Sequence, residues 1–170
     1  MSDILTAHGL GARVERAGLA RSSWLAIVAV SLTVGALSLT RMQIYAVHAN
    51  ERDAVKLVDQ LGERLETPSD AALRELSEDL LHPVEGSIWS EDGSRLRRHG
   101  YLFELVEVGG SKRVRAWPSD HGVTGRAAYQ WSGETGLRGH PNPEGKWSGP
   151  ETPPDVLDGA EWVALQSDIR

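Results

Sequence analysis

The side chains through which this chain could do chemistry are histidine, serine and carboxylate groups, and their spacing fits no catalytic or metal motif. The six histidines are His8, His48, His82, His99, His121 and His140. No two lie four residues apart, as zinc-binding histidines on one helix do, and there is no H-E-x-x-H sequence. The chain has no cysteine and no G-x-S-x-G turn for a serine nucleophile. We therefore expect no enzyme, metal or cofactor, although histidines and carboxylates converging in one cleft would favour an enzyme.

The stretch SEDGS, residues 90–94, places two acidic residues beside a glycine. Calcium loops are also acidic and glycine-containing, but they need ligands at alternating positions, and this stretch lacks that alternation. Asp, Gly and Ser together are typical of a tight turn. The sequence therefore predicts a solvated β-turn here.

Basic and aromatic residues could instead form a partner-binding surface. Strand pairing would bring together Arg95, Arg97, Arg98, Lys112, Arg113 and Arg115. Trp131 and Trp147 could stack a sugar or a peptide, so we take them, with Arg113 and Arg115, as the candidate partner surface. The alternatives are a solvated sheet face for the arginines and a tryptophan core, because the chain has six Trp but one Phe.

The charge of the chain is uneven. The net charge is −6 overall. Residues 1–41 carry 4 basic and 2 acidic residues, whereas residues 42–170 carry 14 basic and 22 acidic ones, a net −8. An acidic domain is repelled by phosphate backbones, so we expect no nucleic-acid partner.

A membrane-spanning segment is the clearest feature of the first half. SSWLAIVAVSLTVGALSLT, residues 22–40, contains no charged residue, and as a helix it spans about 28 Å, close to the hydrocarbon thickness of a bilayer. The alternatives are a buried core helix and a signal peptide whose cleavage site is formed by Val47 and Ala49, with cleavage after Ala49. Small side chains let helices approach in lipid, which makes oligomerisation through this helix an expectation. The candidate association residues are Ala29, Ser31, Gly35 and Ser38.

The orientation follows from tail length and charge. Arg13, Arg16 and Arg21 precede the apolar run, whereas Arg41, Arg52 and Lys56 follow it, so the positive-inside rule discriminates little. The short leading tail and the acidic bulk favour a cytoplasmic N-terminus. We expect a single-pass protein of the inner (cytoplasmic) membrane with its C-terminal domain outside the cytoplasm, which in a bacterium means the periplasm or cell surface.

The remaining residues predict an α+β fold. Apolar residues at helical spacing continue to residue 66 without a breaker, and a second short helix lies between Thr67 and Pro83. Alternating stretches then predict an antiparallel sheet that includes the hairpin YLFELVEV–GGSK–RVRAWP and the pair GRAAYQWS–GETG–LRG. The expected segments are a cytoplasmic tail (1–21), a transmembrane helix (22–41), an amphipathic helix with a second short helix (42–82), a sheet head (83–139), and a Pro/Gly-rich loop with a C-terminal tail (140–170). For the last residues the alternatives are a short strand or helix that docks through Trp162 and a frayed tail.

Several stretches resemble the type IV pilins and the pseudopilins of type II secretion. AVHANERDAVKLVDQL resembles the region after the membrane helix of those proteins, and HGYLFELVEV, RVRAWP and HGVTGRAAYQWSGETGLRG resemble the sheet of a pilin-like group. The resemblance covers roughly residues 22–140. The chain departs from the family where a prepilin peptidase would act, because Gly18 is followed by LARSS and the apolar run contains no glutamate.

The resemblance implies a non-enzymatic structural or assembly protein. Its head would lie outside the cytoplasm, and its partners would be membrane lipid and other pilin-like or secretion-system proteins. The alternative is a membrane-anchored module that binds a glycan or a peptide and has no link to filaments.

Overall fold

The computed structural model describes residues 8–65, 73–78, 87–155 and 161–165. Within these ranges the chain is an α+β protein with one long helix, one short helix and a seven-stranded antiparallel sheet. This confirms the predicted fold class. The chain divides between Gln43 and Ile44 into two units, which are described one at a time.

The first unit contains the apolar part of helix α1, which runs from His8 to Leu65. The sequence predicted that the helix starts near residue 22, but it starts earlier. No proline interrupts the preceding tail, which contains Ala, Leu and Arg and can therefore form helix. Every residue from 23 to 43 is exposed. The large apolar side chains Trp24, Leu25 and Leu32 are 68%, 72% and 69% exposed. This helix is long and apolar enough to cross a membrane.

Hydroxyl groups in this apolar part bond to the helix itself. Thr33 Oγ1 donates to the carbonyl of Ala29 at 2.9 Å, and Ser38 Oγ donates to that of Val34 at 2.8 Å. A hydroxyl that is satisfied within its own helix needs no water, so it can enter a bilayer at little cost. The serines and threonines that dilute the apolar run are therefore compatible with a membrane span.

The second unit begins with the amphipathic part of α1. Ala54, Leu57, Val58 and Leu61 are almost completely buried, and their spacing of three, one and three residues places them on one helix face. Helix α2 spans Leu73–Glu78 and adds Leu73 to the same core. Thr67 and Pro83, between which the sequence predicted this helix, lie outside the described residues.

The sheet is a meander in which each strand pairs with the next along the chain. The sequence predicted the central hairpin, and its first strand has the predicted residues, 101–108. Gly109 and Gly110 form the turn with φ values of 61° and 83°, a backbone region that glycine adopts without strain. The strands are β1 (Ile88–Trp89), β2 (Arg95–Arg98), β3 (Tyr101–Val108), β4 (Ser111–Pro118), β5 (Ala128–Ser132), β6 (Gly136–His140) and β7 (Val163–Ala164).

Both faces of the sheet are buried. One face packs on α1 through a cluster that includes Phe103, Val114 and Trp131. The other face carries a second cluster, formed by Leu102, Trp117, Ala128, Trp147 and Trp162. Side chains alternate between the two faces along each strand, so β5 is buried at all five positions.

The second cluster is covered by residues 141–155. The sequence predicted an extended loop or linker here, and the segment does lack helix and strand. It nevertheless packs closely on the sheet, because the indole N–H of Trp117 donates to the carbonyl of Gly149 at 2.7 Å. Arg95 and Arg115 donate to the carbonyls of Pro150 and Pro154 at 2.7 and 2.5 Å. The segment is therefore part of the head and not a tether.

A candidate site where helix and sheet meet

Three polar residues on one stretch of α1 fasten the helix to the sheet. Asn50 and Glu51 reach the loop between β4 and β5, whereas Asp53 reaches the turn between β2 and β3. These contacts join residues 45 to 76 positions apart. We call Asn50, Glu51, Asp53 and the backbone they contact the junction site.

The loop that the junction site holds is a closed turn. The N–H of Gly122 donates to the carbonyl of Gly125 at 2.7 Å, and the N–H of Thr124 donates to the carbonyl of Asp120 at 2.9 Å. Asn50 Nδ2 then donates to the carbonyl of Thr124 at 2.8 Å. The loop is therefore closed between Gly122 and Gly125 and tied to α1.

Glu51 receives backbone donors from the same loop. Its Oε1 accepts the N–H groups of Arg126 and Ala127 at 3.0 and 3.4 Å. These two donors precede β5, so they lie outside the ladder of the sheet. A charged acceptor makes such bonds stronger than neutral ones. The carboxylate therefore acts as a cap for the start of a strand.

Asp53 binds the β2–β3 turn through a single oxygen. Its Oδ2 accepts from Arg98 Nε at 3.2 Å and lies 2.9 Å from His99 Nδ1. His99 has a φ of 44°, a left-handed conformation that is uncommon for residues other than glycine. The helix carboxylate thus stabilises a turn whose backbone is unfavourable by itself.

Two glycines allow the elements of the site to approach closely. A Cβ on Gly125 would lie 2.3 Å from the Tyr101 hydroxyl oxygen, and one on Gly100 would lie 2.5 Å from Thr124 Cβ. The Tyr101 hydroxyl donates to the carbonyl of Ala127 at 3.0 Å. Burial, followed by the proximity of Tyr129 and Glu51, raises the pKa of Tyr101. Tyr101 therefore acts as a neutral hydrogen-bond donor to the backbone.

A shallow groove of about 270 Å³ opens beside the junction site. It is lined by His48, Glu51, Arg52, Val55 and Tyr129. His48 Nδ1 lies 3.7 Å from the second oxygen of Glu51, and burial, then Glu51, raises the pKa of Tyr129. The groove therefore presents the Arg52 guanidinium and the Tyr129 phenol as groups that could bind a ligand.

The two tryptophans of the candidate partner surface are buried in this structure, and partner binding through this surface stays a prediction. Trp131 and Trp147 are 5% and 6% exposed and belong to the clusters on opposite faces of the sheet. Trp147 stacks on Trp162 at 5.5 Å between ring centroids. The alternative of core tryptophans agrees with this burial. Of the alternatives for the C-terminal segment, a short strand that docks beside the buried Trp162 agrees with the structure.

The arginines of that surface are also engaged. Glu104 lies between Arg95 and Arg115 across the three strands and pairs with both. The two guanidinium groups flank the Trp117 ring at 5.8 and 5.7 Å. Arg113 is 7% exposed. Arg95 and Arg115 are thus held on the sheet by a shared carboxylate and by the Trp117 ring.

The candidate helix-association residues are accessible. Ala29, Ser31, Gly35 and Ser38 are all exposed on α1, and a Cβ at Gly35 would meet nothing within 4 Å. Association through these residues stays a prediction.

No metal site forms among the described residues, where no three His, Cys, Asp or Glu side chains converge. The SEDGS stretch is the predicted turn, with Gly93 N–H donating to the Ser90 carbonyl at 2.9 Å. The buried histidine His140 is satisfied on both nitrogens, since its Nδ1 accepts the N–H of Asn142 at 2.9 Å and its Nε2 lies 2.7 Å from Glu161. His140 is thus held in place by its hydrogen bonds.

Sequence reasoning missed the junction site. Asn50, Glu51, Gly100 and Thr124 lie within stretches that carried the resemblance, but nothing in the spacing indicated that these stretches meet. Comparison with protein-family models, curated proteins and solved structures finds no match for the chain.

Proposed function

We propose that this chain is a single-pass, pilin-like membrane protein that acts by assembly or partner binding and not by catalysis. The observation that carries the proposal is the change of character along α1. Its residues from 23 to 43 are exposed and largely apolar, whereas Ala54, Leu57 and Leu61 enter the core of the head. One helix thus supplies a membrane anchor at one end and a packing element at the other.

The junction site supports a structural role. Asn50, Glu51 and Asp53 bind backbone and side-chain groups of two separate connections of the sheet. Such contacts fix the head on the helix that carries it. A protein that transmits force or position from an anchor to a head needs this attachment, whereas a flexibly tethered enzyme does not.

The orientation that we propose places residues 1–21 in the cytoplasm and the head outside it. The net charge of −8 over residues 42–170 supports this orientation. Treatment with an external protease of cells whose outer membrane and wall have been removed, with the inner membrane intact, tests this orientation. Digestion of the head in these cells supports it, and digestion only after the inner membrane is lysed contradicts it.

Deletion of residues 22–40 tests the anchor. We expect the deleted protein to leave the membrane fraction and appear in the soluble fraction. As a matched control, replacement of residues 22–40 by a Leu/Ala segment of equal length restores membrane association. A deleted protein that stays in the membrane after alkaline extraction contradicts the proposal.

A further inference from the structure

The exposed side of α1 changes from apolar to basic where the second unit begins. Ile44 and Tyr45 are 48% and 73% exposed. His48, Arg52 and Lys56 follow Tyr45 at steps of three, four and four residues, and all three are exposed. This spacing places the four side chains on one helix face. Tyrosine is enriched at the bilayer interface, and cations beside it are attracted to anionic headgroups, so this face has the order of side chains that suits a membrane surface.

Arg52 lies within reach of the headgroup layer when Tyr45 lies at the interface. The two residues are seven positions apart, which is about 10.5 Å along the helix axis. Side chains in an α-helix tilt towards its N-terminus, which shortens this distance. The headgroup layer on each side of a bilayer is about 5–8 Å thick. A guanidinium at position 52 can therefore meet a lipid phosphate.

The cations Arg52 and Lys56 have no carboxylate partner in the part of the chain that the structure describes. Neither forms an ion pair within 4.0 Å there. Acidic residues outnumber basic ones by 22 to 14 over residues 42–170. These two side chains therefore form a local basic patch on an acidic head, and such a patch attracts an anion from outside the chain.

The groove beside the junction site gives Arg52 a defined place for that anion. Of the two cations, Arg52 is the one that lines the groove of about 270 Å³. Val55 and Tyr129 line it as well, and both present mostly carbon. A cation beside an apolar floor fits an amphipathic ligand, because the charged end meets the guanidinium and the carbon chain packs on the floor. Inorganic phosphate has no part that would pack there.

Glu51 also lines the groove, and a free carboxylate would repel a phosphate. Its Oε1 accepts the N–H groups of Arg126 and Ala127, and its Oε2 lies 3.7 Å from His48 Nδ1. These contacts offset the charge of Glu51. His48 is itself part of the groove lining and adds a second cation whenever it is protonated. The groove therefore stays suited to an anion.

We propose that the groove binds the phosphate of an anionic phospholipid headgroup in the membrane that α1 crosses. The Arg52 guanidinium donates to two phosphate oxygens, a bidentate geometry that arginine forms and lysine does not. The glycerol and the first acyl carbons pack on Val55 and Tyr129. The proposal rests on the proposed function, because it takes α1 as a membrane anchor.

Native mass spectrometry of the full-length chain in neutral detergent measures the binding of added lipid. We expect dioleoyl phosphatidylglycerol, which is anionic, to bind at least about fivefold more tightly than zwitterionic dioleoyl phosphatidylcholine. Arg52→Gln should abolish this preference, because it removes the cation of the groove. Equal binding of the two lipids to the native chain, or an unchanged preference in Arg52→Gln, overturns the proposal.

Two matched variants remove an equal charge elsewhere. Lys56→Gln changes the same helix face one turn further on, outside the groove lining, and should keep the preference. Arg97→Gln changes an exposed arginine opposite Leu102, on the sheet face that carries the second cluster, and should bind as the native chain does. An equal loss in Arg52→Gln and Lys56→Gln indicates diffuse attraction to a charged surface and overturns the groove as the site.

Competition distinguishes a lipid from a soluble phosphate. Inorganic phosphate and glycerol phosphate carry the same charged group as phosphatidylglycerol but no acyl chain, so neither should displace the lipid at equal concentration. Displacement by either one shows a site for a soluble phosphate and overturns the lipid assignment. Fractionation of the chain that lacks residues 22–40 tests the anchor without any lipid titration, so the proposed function and this proposal can fail separately.

Discussion

Replacement of Gly62 by alanine tests how closely α1 packs on the sheet. Gly62 is buried on the helix face that meets β5. A Cβ built there would lie 2.2 Å from Cγ and Cδ2 of Trp131 and 2.5 Å from Cδ1. Trp131 is 5% exposed and packed among core side chains, so its rigid ring has little space to move.

The expected change in the free energy of unfolding on Gly62→Ala is the sum of two opposing effects. Alanine is favoured over glycine inside a helix by about 1 kcal/mol. Forcing an extra carbon into a packed core costs about 1–3 kcal/mol, and a contact near 2 Å belongs at the upper end. We therefore expect Gly62→Ala to lower the free energy of unfolding by about 1–2 kcal/mol. For a domain of this size each kcal/mol lowers Tm by roughly 3–6 °C.

The assay is urea unfolding of the full chain in detergent, followed by tryptophan fluorescence. Gly35→Ala is the matched control, since a Cβ there meets nothing within 4 Å, and it should leave the unfolding of the head unchanged. Trp131→Leu in the Gly62→Ala background should recover part of the loss relative to Trp131→Leu alone. If Gly62→Ala stabilises the head as a simple propensity gain would, the packing argument is refuted.

Three further predictions concern single side chains. Glu51→Ala should destabilise the head by about 1–3 kcal/mol, because it removes the acceptor of the Arg126 N–H, whereas Glu51→Gln keeps an acceptor oxygen and should cost less in urea unfolding. Bonds from Ser90 and Ser94 lower the pKa of Asp92 to about 2, so NMR titration should give a midpoint near that value. Because the folded pKa is below the unfolded one, the stabilising contribution of Asp92 is present above about pH 4 and is lost as the pH falls through about 2. Trp117→Phe should speed backbone hydrogen exchange in residues 145–150, since it removes the bond to the Gly149 carbonyl, and unchanged exchange would contradict that role.

The parts of the fold that the sequence predicts are those with local signals. The β3–β4 hairpin follows from alternating side chains around Gly109 and Gly110, and the amphipathic part of α1 follows from the spacing of its apolar residues. The start of α1 was placed too late because a charged tail can form helix as readily as an apolar one. Local propensity contains no signal for where a helix leaves a membrane.

The site depends on contacts between distant residues, which explains why it could not be predicted. The bond from Asn50 to Thr124 joins positions 74 residues apart, and nothing near either residue specifies the other. Trp131 and Trp147 were assigned to a partner surface. Whether a side chain on a strand is exposed depends on the segment that covers the strand, and no local pattern in the sequence specifies that segment. Residues 141–155 look like a linker in sequence, yet Asn142 fixes their path by bonding the backbone of Trp147 in both directions.

The intact mass of the protein isolated from its native membrane tests the central claim, that α1 is a permanent anchor continuous with the head. We predict a mass that includes residues 22–40. A mass that corresponds to a chain starting after Ala49 would mean that the apolar segment is a cleaved signal. That result would contradict the account.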